Sequence, residues 1–348
     1  RRRADRYLGD VIAGDDAGAE TDDPANRVSR HFAWLRDLVG AGEGQAAPLD
    51  RAQEQLAQFG AHLAAVDQAI KSGRPALAAG DRTEIDAVKQ AAAAMPPAVA
   101  QMIDGLADDS ATLVAGGVRA ELNREWGEVL AFCREVTGSR YPFRPGSSQD
   151  TTLADFGALF GPGGALDAFF AEKLRGIVDT RQRPWRWADR TIGIPDSVLR
   201  QFERAAKIRD AYFQGGGKTP SVAFELTPTA MDAGAMQFIL DLGGQVVDYR
   251  HGPPQAHQLT WPSPQGIGRA RQSFTRVGGT QANATEDGPW GFFRLLDRAA
   301  VRSTGQDERF VVTFRGGGMW AKFELRAASI RNPFKQDALR GFECPARL

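Results

Sequence analysis

The residue types that could carry out chemistry in this sequence are few and lie far apart. A phosphate-binding loop needs Gly-x-x-x-x-Gly-Lys-Ser/Thr between a strand and a helix, because the backbone amides of the whole loop hold the phosphates. The stretch Gly215–Thr219 ends in Gly-Lys-Thr, but Tyr212 stands where the first glycine belongs. A helix is predicted before this stretch and a strand after it, which is the reverse order. We interpret the stretch as a flexible linker and not as a nucleotide site.

The sequence carries no motif of a metal enzyme or a hydrolase. A Ser-His-Asp triad assembled from distant residues has no sequence signature, but the Gly-x-Ser-x-Gly elbow is missing. Glycosidase chemistry requires two carboxylates in one cleft, and no pattern here pairs them. The His-x-x-x-His and His-Glu-x-x-His spacings of metal sites are also missing among the four histidines, which are His31, His62, His251 and His257. We therefore predict a non-enzymatic protein with no catalytic residue, no cofactor and no metal ion.

The composition is that of an ordinary folded protein. Of its 348 residues, 42% are hydrophobic and 25% are charged, which suits two or three domains with proper cores. The 43 Lys and Arg balance the 43 Asp and Glu, and this balance argues against a broad nucleic-acid-binding surface. No run approaches the ~18 apolar residues of a membrane span. Because the chain begins at Arg1 without a methionine, we expect it to be a piece of a longer protein.

The first part of the chain has helical periodicity. Leu122, Trp126, Val129, Cys133 and Val136 are spaced by alternating steps of four and three, which forms one apolar stripe on a helix. Similar spacing over 50–71, after Pro162 and after Pro195 predicts further helices, seven or eight in all. We predict a helical domain over 1–214, with a break near 93–120 as the point where it would divide into two subdomains.

The second part of the chain changes to the period of strands. Apolar and polar residues alternate over 220–228, Gly243-Gly244 separates two short apolar runs, and Gly316–Gly318 separates the arms of a hairpin. Pro289 opens a single helix. We predict a β-rich domain over 215–331 and a C-terminal tail over 332–348. The predicted fold class is α+β: an N-terminal all-helical domain followed by a smaller antiparallel β-sheet or sandwich domain with one covering helix.

A set of short motifs stands in order along the second two thirds of the chain. They are Arg140-Tyr141-Pro142-Phe143, Ser147-Ser148-Gln149-Asp150, Phe160-Gly161-Pro162-Gly163-Gly164, Gly288-Pro289-Trp290, Asn332-Pro333-Phe334 and Phe342-Glu343-Cys344-Pro345. This ordered set resembles the C-terminal, periplasmic part of the TssM (IcmF-like) family of bacterial type VI secretion systems over roughly 120–348. Taken alone, the motifs suit helix starts, turns and core positions, so we expect them to describe the fold more than a binding site.

The resemblance implies a structural role without catalysis. TssM proteins are anchored in the inner membrane and form a membrane complex with a TssL-like inner-membrane protein, a TssJ-like outer-membrane lipoprotein and further TssM copies. Their C-terminal β-rich part contacts the lipoprotein, so the complex links the inner and outer membranes. The nucleotide-binding motif of some members belongs to a cytoplasmic region outside this sequence. On this likeness the chain is expected to be periplasmic and to span no membrane itself.

Candidate contact residues for the lipoprotein are sought in loops of the β-rich domain. We expect an exposed Trp261 to be an anchor, since tryptophans are frequent at the energetic centres of interfaces. The full set of candidates is His251, Pro253, Pro254, Trp261, Gln281 and Asn283.

Two pairs of residues keep alternatives open. In an oxidising periplasm Cys133 and Cys344 are a candidate disulfide, whereas Cys133 on its apolar stripe also suits an unbonded, buried thiol. Trp185 and Trp187 suit either a ligand-stacking surface or a core position. If the chain has an open groove with carboxylates, or one in which these tryptophans are exposed, the alternative function is a periplasmic module that binds or hydrolyses peptidoglycan.

Overall fold

The computed structural model describes residues 32–40, 46–72, 83–188, 190–335 and 337–348. His31 and the segment before it lie outside these ranges. Contacts divide the chain into two compact units, one of residues 1–64 with 82–110 and the other of residues 65–81 with 111–348. None of the helices among the described residues is both long enough and apolar enough to cross a bilayer.

The first unit is helical wherever it is described. It contains α1 (Ala33–Val39), most of α2 (Pro48–Lys71), α3 (Thr83–Ala92) and the start of α4 (Pro97–Thr137). A small core of Leu38, Ala52 and Met95 holds it together. The helical period over 50–71 correctly predicted α2, and a turn at 93–96 separates α3 from α4.

The helices of the second unit pack on the apolar stripe of α4. Leu122, Trp126, Cys133 and Val136 of this stripe are buried. Trp126 makes edge contacts with the rings of Phe169 and Phe202, at centroid distances of 5.1 and 5.4 Å. These partners belong to α6 (Ala165–Phe169) and α7 (Asp196–Tyr212), and α5 (Leu153–Phe160) precedes them. Before Gly215, the described residues contain seven α-helices.

Two irregular stretches link these helices. Residues Phe170–Leu174 form one π-helical turn and Arg175–Ile177 a 3-10 turn. The two-residue strands β1 (Val178–Asp179) and β2 (Arg186–Trp187) then pair with each other. The predicted start after Pro162 is a few residues early, because Gly161–Gly164 form a turn with Gly163 at φ +68° and α6 begins only at Ala165.

A two-sheet antiparallel sandwich follows, as predicted. Its five-stranded sheet has the order β6-β3-β11-β10-β9 and its four-stranded sheet the order β5-β4-β7-β8. Phe238 of the smaller sheet lies 5.4 Å from the ring of Phe314 and 5.3 Å from that of Phe323 in the larger one, so aromatic rings fill the space between the sheets. The strands are β3 (Val222–Met231), β4 (Ala235–Leu242), β5 (Gln245–Tyr249), β6 (His257–Trp261), β7 (Arg269–Arg276), β8 (Gln281–Asp287), β9 (Ala300–Ser303), β10 (Arg309–Gly316) and β11 (Met319–Ala327).

One helix, α8 (Gly291–Arg298), covers an end of the sandwich. Its Phe292 stacks on Phe224 of β3 at 5.0 Å, while Phe293 contacts Tyr212 of α7 at 5.8 Å. Secondary structure changes near Gly215 as predicted, but the hydrophobic core runs on without interruption across that position. The boundary between the compact units therefore falls within α2 and α4, and helices α5–α7 share one unit with the sandwich. The sequence pattern predicted where helices give way to strands, near Gly215. The division into two compact units depends on long-range packing.

The C-terminal tail returns to the helices of the same unit. It contains a 3-10 turn (Pro333–Lys335) and α9 (Asp337–Arg340). The Asn123 side chain exchanges two hydrogen bonds with the backbone of Leu348, at 2.8 and 3.1 Å, and the Trp126 indole donates to the carbonyl of Pro345 at 2.7 Å. A disulfide joins Cys133 of α4 to Cys344. The tail is thus part of the core packing.

Candidate interaction surface at the turn end of the sandwich

Strand register decides which of the predicted contact residues come together. Tyr249, Phe238, Phe274 and Ala282 are direct partners in one row across the smaller sheet. The loop that follows β5 and the start of β8 therefore lie at the same end of the sandwich. Pro253 and Pro254, in that loop, share this end with Gln281 and Asn283 of β8 (Pro253 and Pro254 are both exposed).

Four connections form this end, which we name the turn end: residues 232–234, 250–256, 277–280 and 316–318. Backbone and side-chain hydrogen bonds tie them together. His251 bonds through its ring Nε2 to the carbonyl of Ala235 at 2.7 Å, and Val277 N donates to the carbonyl of Gly234 at 3.1 Å. The guanidinium of Arg276 donates to the carbonyl of Gly317 at 2.7 Å. The loops are thus mutually braced, which lowers the entropy cost of presenting a surface to a partner.

His251 holds its loop in a particular conformation. Its φ of +58° is the only positive value among the described non-glycine residues. This left-handed geometry is unfavourable for a side chain with a Cβ, and the hydrogen bond to Ala235 offsets the cost. His251 therefore positions the exposed prolines and leaves them available for contact.

The turn end exposes two apolar side chains close to its glycine turns. Val277 is 64% exposed and Met236 is 51% exposed. On the adjoining outer surface, the Lys322 ammonium lies over the Trp320 ring at 5.7 Å. An exposed apolar patch rimmed by polar and charged groups is typical of a protein-protein contact. Sequence reasoning missed Val277 and Met236, although Val277 directly precedes the Gly278-Gly279 turn.

Gln281 and Asn283 were expected in a loop, and the structure places them in strand β8. This strand is the outer edge of the smaller sheet, and exposed and half-buried residues alternate along it. Its sequence has no large apolar residue, so the usual strand signal is weak. Both residues are still exposed, because they alternate with Ala282, which pairs with the core residue Phe274.

Trp261 is not the exposed anchor that we predicted. It is 4% exposed and lies at the opposite end of the sandwich, which we name the joint end. Its indole donates to the carbonyl of Pro289 at 2.7 Å, and its ring contacts those of Trp290 and Phe293 at 4.7 and 4.9 Å. Aromatic rings bury the most apolar area per side chain, so burial of Trp261 where α8 meets the sheets is favourable.

The sequence motifs meet at this joint end. Trp290 is fully buried and its indole donates to the carbonyl of Thr151 at 2.7 Å. The guanidinium of Arg294 donates to the carbonyl of Ser147 at 2.7 Å and forms an ion pair with Asp150. The motifs around 147–150 and 288–290 therefore fasten α8 to the loop between α4 and α5, and their role here is structural.

Tyr141 completes this network. Its hydroxyl donates to Asp297 Oδ2 at 2.9 Å, and the guanidinium of Arg294 lies 4.1 Å from the centre of its ring. Burial, the negative charge of Asp297 and this hydrogen bond raise the pKa of Tyr141 well above that of an exposed tyrosine. The phenol stays protonated at neutral pH and acts as a structural donor.

The remaining candidates show no reaction chemistry. Residues 215–219 form a turn between α7 and β3, and the carbonyl of Lys218 lies so close to Gly157 of α5 that a Cβ there would be only 2.2 Å away. Trp187 is buried, and Trp185 packs on Phe170 at 4.9 Å. No cluster of three or more His, Cys, Asp or Glu able to hold a metal occurs in the ranges that the structure describes.

Part of the chain matches a known protein family, and this part is the sandwich. Residues 224–329, which span most of the sandwich, match the family described as type VI secretion protein IcmF C2-like domain. The type VI secretion system component TssM1 of Pseudomonas aeruginosa is 38% identical over 361 residues. That match covers 98% of this chain but 32% of the relative, so the chain spans about a third of its relative's length.

Two solved structures have the same fold. The TssM C-terminal domain from EAEC, a type VI secretion protein, matches with a TM-score of 0.59 and 23% identity, covering 66% of this chain and 98% of that one. A type VI secretion system membrane core complex matches with a TM-score of 0.67 and 20% identity, covering 98% of this chain and 70% of that one. Over almost its whole length, the chain resembles the C-terminal region of TssM, of the IcmF-like family of type VI secretion proteins.

Proposed function

We propose that this chain is a structural, non-enzymatic part of a type VI secretion membrane complex. The observation that carries this proposal is the 38% identity to a TssM1 component over 98% of the chain. The fold supports it, because the long helices and the braced sandwich contain polar networks that fasten elements together. The proposed location is the periplasm, where the chain would connect a TssL-like inner-membrane protein and further TssM copies to an outer-membrane lipoprotein.

The TssJ-like lipoprotein would bind at the turn end of the sandwich. Two features of this end support the choice: its loops are held by hydrogen bonds, and it exposes Val277 and Met236 beside Pro253 and Pro254. The joint end is less suitable, because Trp261 and Trp290 are buried there, and among the described apolar residues around Trp261 only Ile267 is largely exposed. His251, Gln281 and Asn283 flank the proposed contact.

Calorimetry of the whole chain against the lipid-free, soluble TssJ-like protein of the same gene cluster tests this proposal. A fragment of residues 215–348 is unsuitable, because removing α5 and α7 would expose the rings of Trp290 and Phe293. We expect saturable binding that Val277→Asp weakens at least tenfold, since a carboxylate would be buried at the apolar centre of the contact.

The control is Ile330→Asp, which changes another apolar residue outside the turn end that is 68% exposed. This variant should bind the lipoprotein like the unmodified chain. Absence of binding by the folded whole chain, or equal losses in both variants, would refute the turn-end contact.

The alternative of a peptidoglycan-binding or peptidoglycan-hydrolysing module has weaker support. Its stacking surface required both tryptophans to be exposed, but Trp187 is 6% exposed. Trp185 is half-buried, with Phe170 stacked on it and the guanidinium of Arg183 over its ring at 5.6 Å. Pull-down with purified peptidoglycan sacculi tests this alternative, and retention of the chain on them would favour it.

A further inference from the structure

A second surface is a groove beside α7, formed by residues outside the four connections of the turn end. One wall is α7 itself, from Glu203 to Tyr212, and the others are the loop at 183–185 and, after the sandwich, residues 330–333 with Leu339. The groove has a volume of about 690 Å³, within the range of sites that hold small ligands or short peptide stretches. The lipoprotein contact proposed above does not involve this groove.

The charge of this groove is positive although the chain as a whole is neutral. Five cations line it, and each of two carboxylates pairs with two of these cations. Glu203 lies between Lys207 at 3.5 Å and Arg183 at 3.9 Å. Asp210 lies between Arg209 at 3.0 Å and Arg331 at 2.7 Å.

The fifth cation, Arg204, donates to the carbonyl of Gly341. Arg209 additionally pairs with Asp167, outside the lining of the groove. Among the described lining residues there are thus five cations and two carboxylates, Glu203 and Asp210, which leaves an excess of positive charge facing the groove. A low-dielectric concave wall strengthens the attraction of such cations for an anionic ligand.

The groove is also partly apolar. Ile330 is 68% exposed on one wall, beside Pro333 and Leu339. A free inorganic anion would leave this apolar wall uncovered, and a flat membrane surface would not enter a groove between a helix and a loop. The wall therefore favours a ligand that carries apolar side chains next to its negative charges. A sugar ring is disfavoured, because protein groups already engage the ring of Trp185.

We propose that this groove binds a short acidic peptide segment of a partner protein. Carboxylates of the segment would lie over Arg183 and Lys207. Within the chain these two cations share one carboxylate, that of Glu203. An apolar side chain of the segment would cover Ile330. This site is independent of the lipoprotein contact at the turn end.

Fluorescence polarisation with the whole chain tests the groove directly. The probe is a fluorescein-labelled peptide of about ten residues in which Asp and Glu alternate with Leu, so that part of its length can fill the groove. The reference peptide has Asn and Gln in place of the acids. We expect the acidic peptide to bind at least tenfold more tightly than the reference, and its affinity to fall as salt rises, since exposed ion pairs are screened.

Variants locate the site. Arg183→Gln with Lys207→Gln should weaken the acidic peptide about tenfold, because two charge-assisted contacts are lost. The matched control is Arg271→Gln with Arg302→Gln, which removes the same charge from exposed strand positions of the sandwich and should change affinity less than twofold. Ile330→Asp leaves the ion pairs intact and should also weaken the peptide, whereas Val277→Asp should not.

Several results would overturn the proposal. They are equal binding of the two peptides, equal losses in the two double variants, or photo-crosslinks from the peptide to the turn end instead of residues 203–212 and 329–333. Competition by a soluble peptidoglycan fragment would reassign the groove to a glycan. Self-association of the chain that Ile330→Asp abolishes would reassign it to a second copy. Because none of these measurements includes the lipoprotein, failure here leaves the proposed function untouched.

Discussion

The two ends of the sandwich use apolar residues for opposite purposes. At the joint end, Trp261, Trp290 and Phe293 are buried, and the indole N–H groups of the two tryptophans donate to backbone carbonyls. At the turn end, Val277 and Met236 stay exposed while hydrogen bonds among loop backbones and His251 provide the rigidity. The buried tryptophans of the joint end therefore mark its attachment to the helices, and exposed aliphatic residues beside glycine turns mark the free surface.

The strongest test of this comparison is Trp290→Ala. Trp290 is fully buried against Phe156, Tyr212 and Trp261, so its truncation leaves a large cavity and an unpaired carbonyl at Thr151. We expect the free energy of unfolding to fall by about 3–5 kcal/mol. Chemical denaturation measures this loss. Trp320→Ala, a half-exposed position beside the turn end, is the control and should cost under about 1 kcal/mol; similar losses in both would break the comparison.

Removal of the Cys133–Cys344 bond should have the next largest effect. The bond closes a loop of 211 residues and fastens the tail to α4. Cys133→Ala with Cys344→Ala should lower the free energy of unfolding by about 2–5 kcal/mol. Mass spectrometry of the unmodified chain with and without reductant first establishes the bond. Two free thiols under oxidising conditions would contradict this assignment, and α4 would then hold the tail through hydrogen bonds of Asn123, Trp126 and Thr137.

Tyr141→Phe tests the polar network of the joint end. The variant loses the hydrogen bond to Asp297 and should cost roughly 1–3 kcal/mol at neutral pH. Because folding raises the pKa of Tyr141, its contribution is complete below the unfolded value of about 10 and is lost as pH rises above it.

Denaturation at a series of pH values measures this dependence. The unmodified chain should lose stability more steeply than Tyr141→Phe between about pH 9 and 11. The variant should retain some dependence, because burial also raises the pKa of Tyr212. Identical slopes in the two proteins would show that Tyr141 titrates normally.

The smallest expected change in stability is at the turn end. Val277→Asp replaces an exposed side chain with no partner in the core, so the free energy of unfolding should change by less than about 0.5 kcal/mol. The same variant is expected to lose lipoprotein binding. A thermal melt beside the calorimetry separates these effects, and a large drop in stability would place Val277 among the structural residues instead of the free surface.

Sequence periodicity predicted most elements because it records which side of each element is buried. The stripe of α4 from Leu122 to Val136 and the alternation in β3 are both confirmed. Strand β8 escaped prediction because an edge strand needs little apolar area, and its small and polar residues carry no strong period. The exposure of Trp261 was predicted wrongly, because residue type cannot say which neighbours cover a ring.

The sequence by itself determined the α+β order, the place where helices change to strands, and the family likeness, since these depend on local periodicity and on the order of short motifs. Only the tertiary structure decided that α5–α7 and the sandwich share one core, that Pro253 and Asn283 lie at one end while Trp261 lies at the other, and that cations from 183–209 meet Arg331 in one groove. The physical reason is that strand register and helix packing bring together residues that are a hundred or more positions apart, and no local pattern records such pairings.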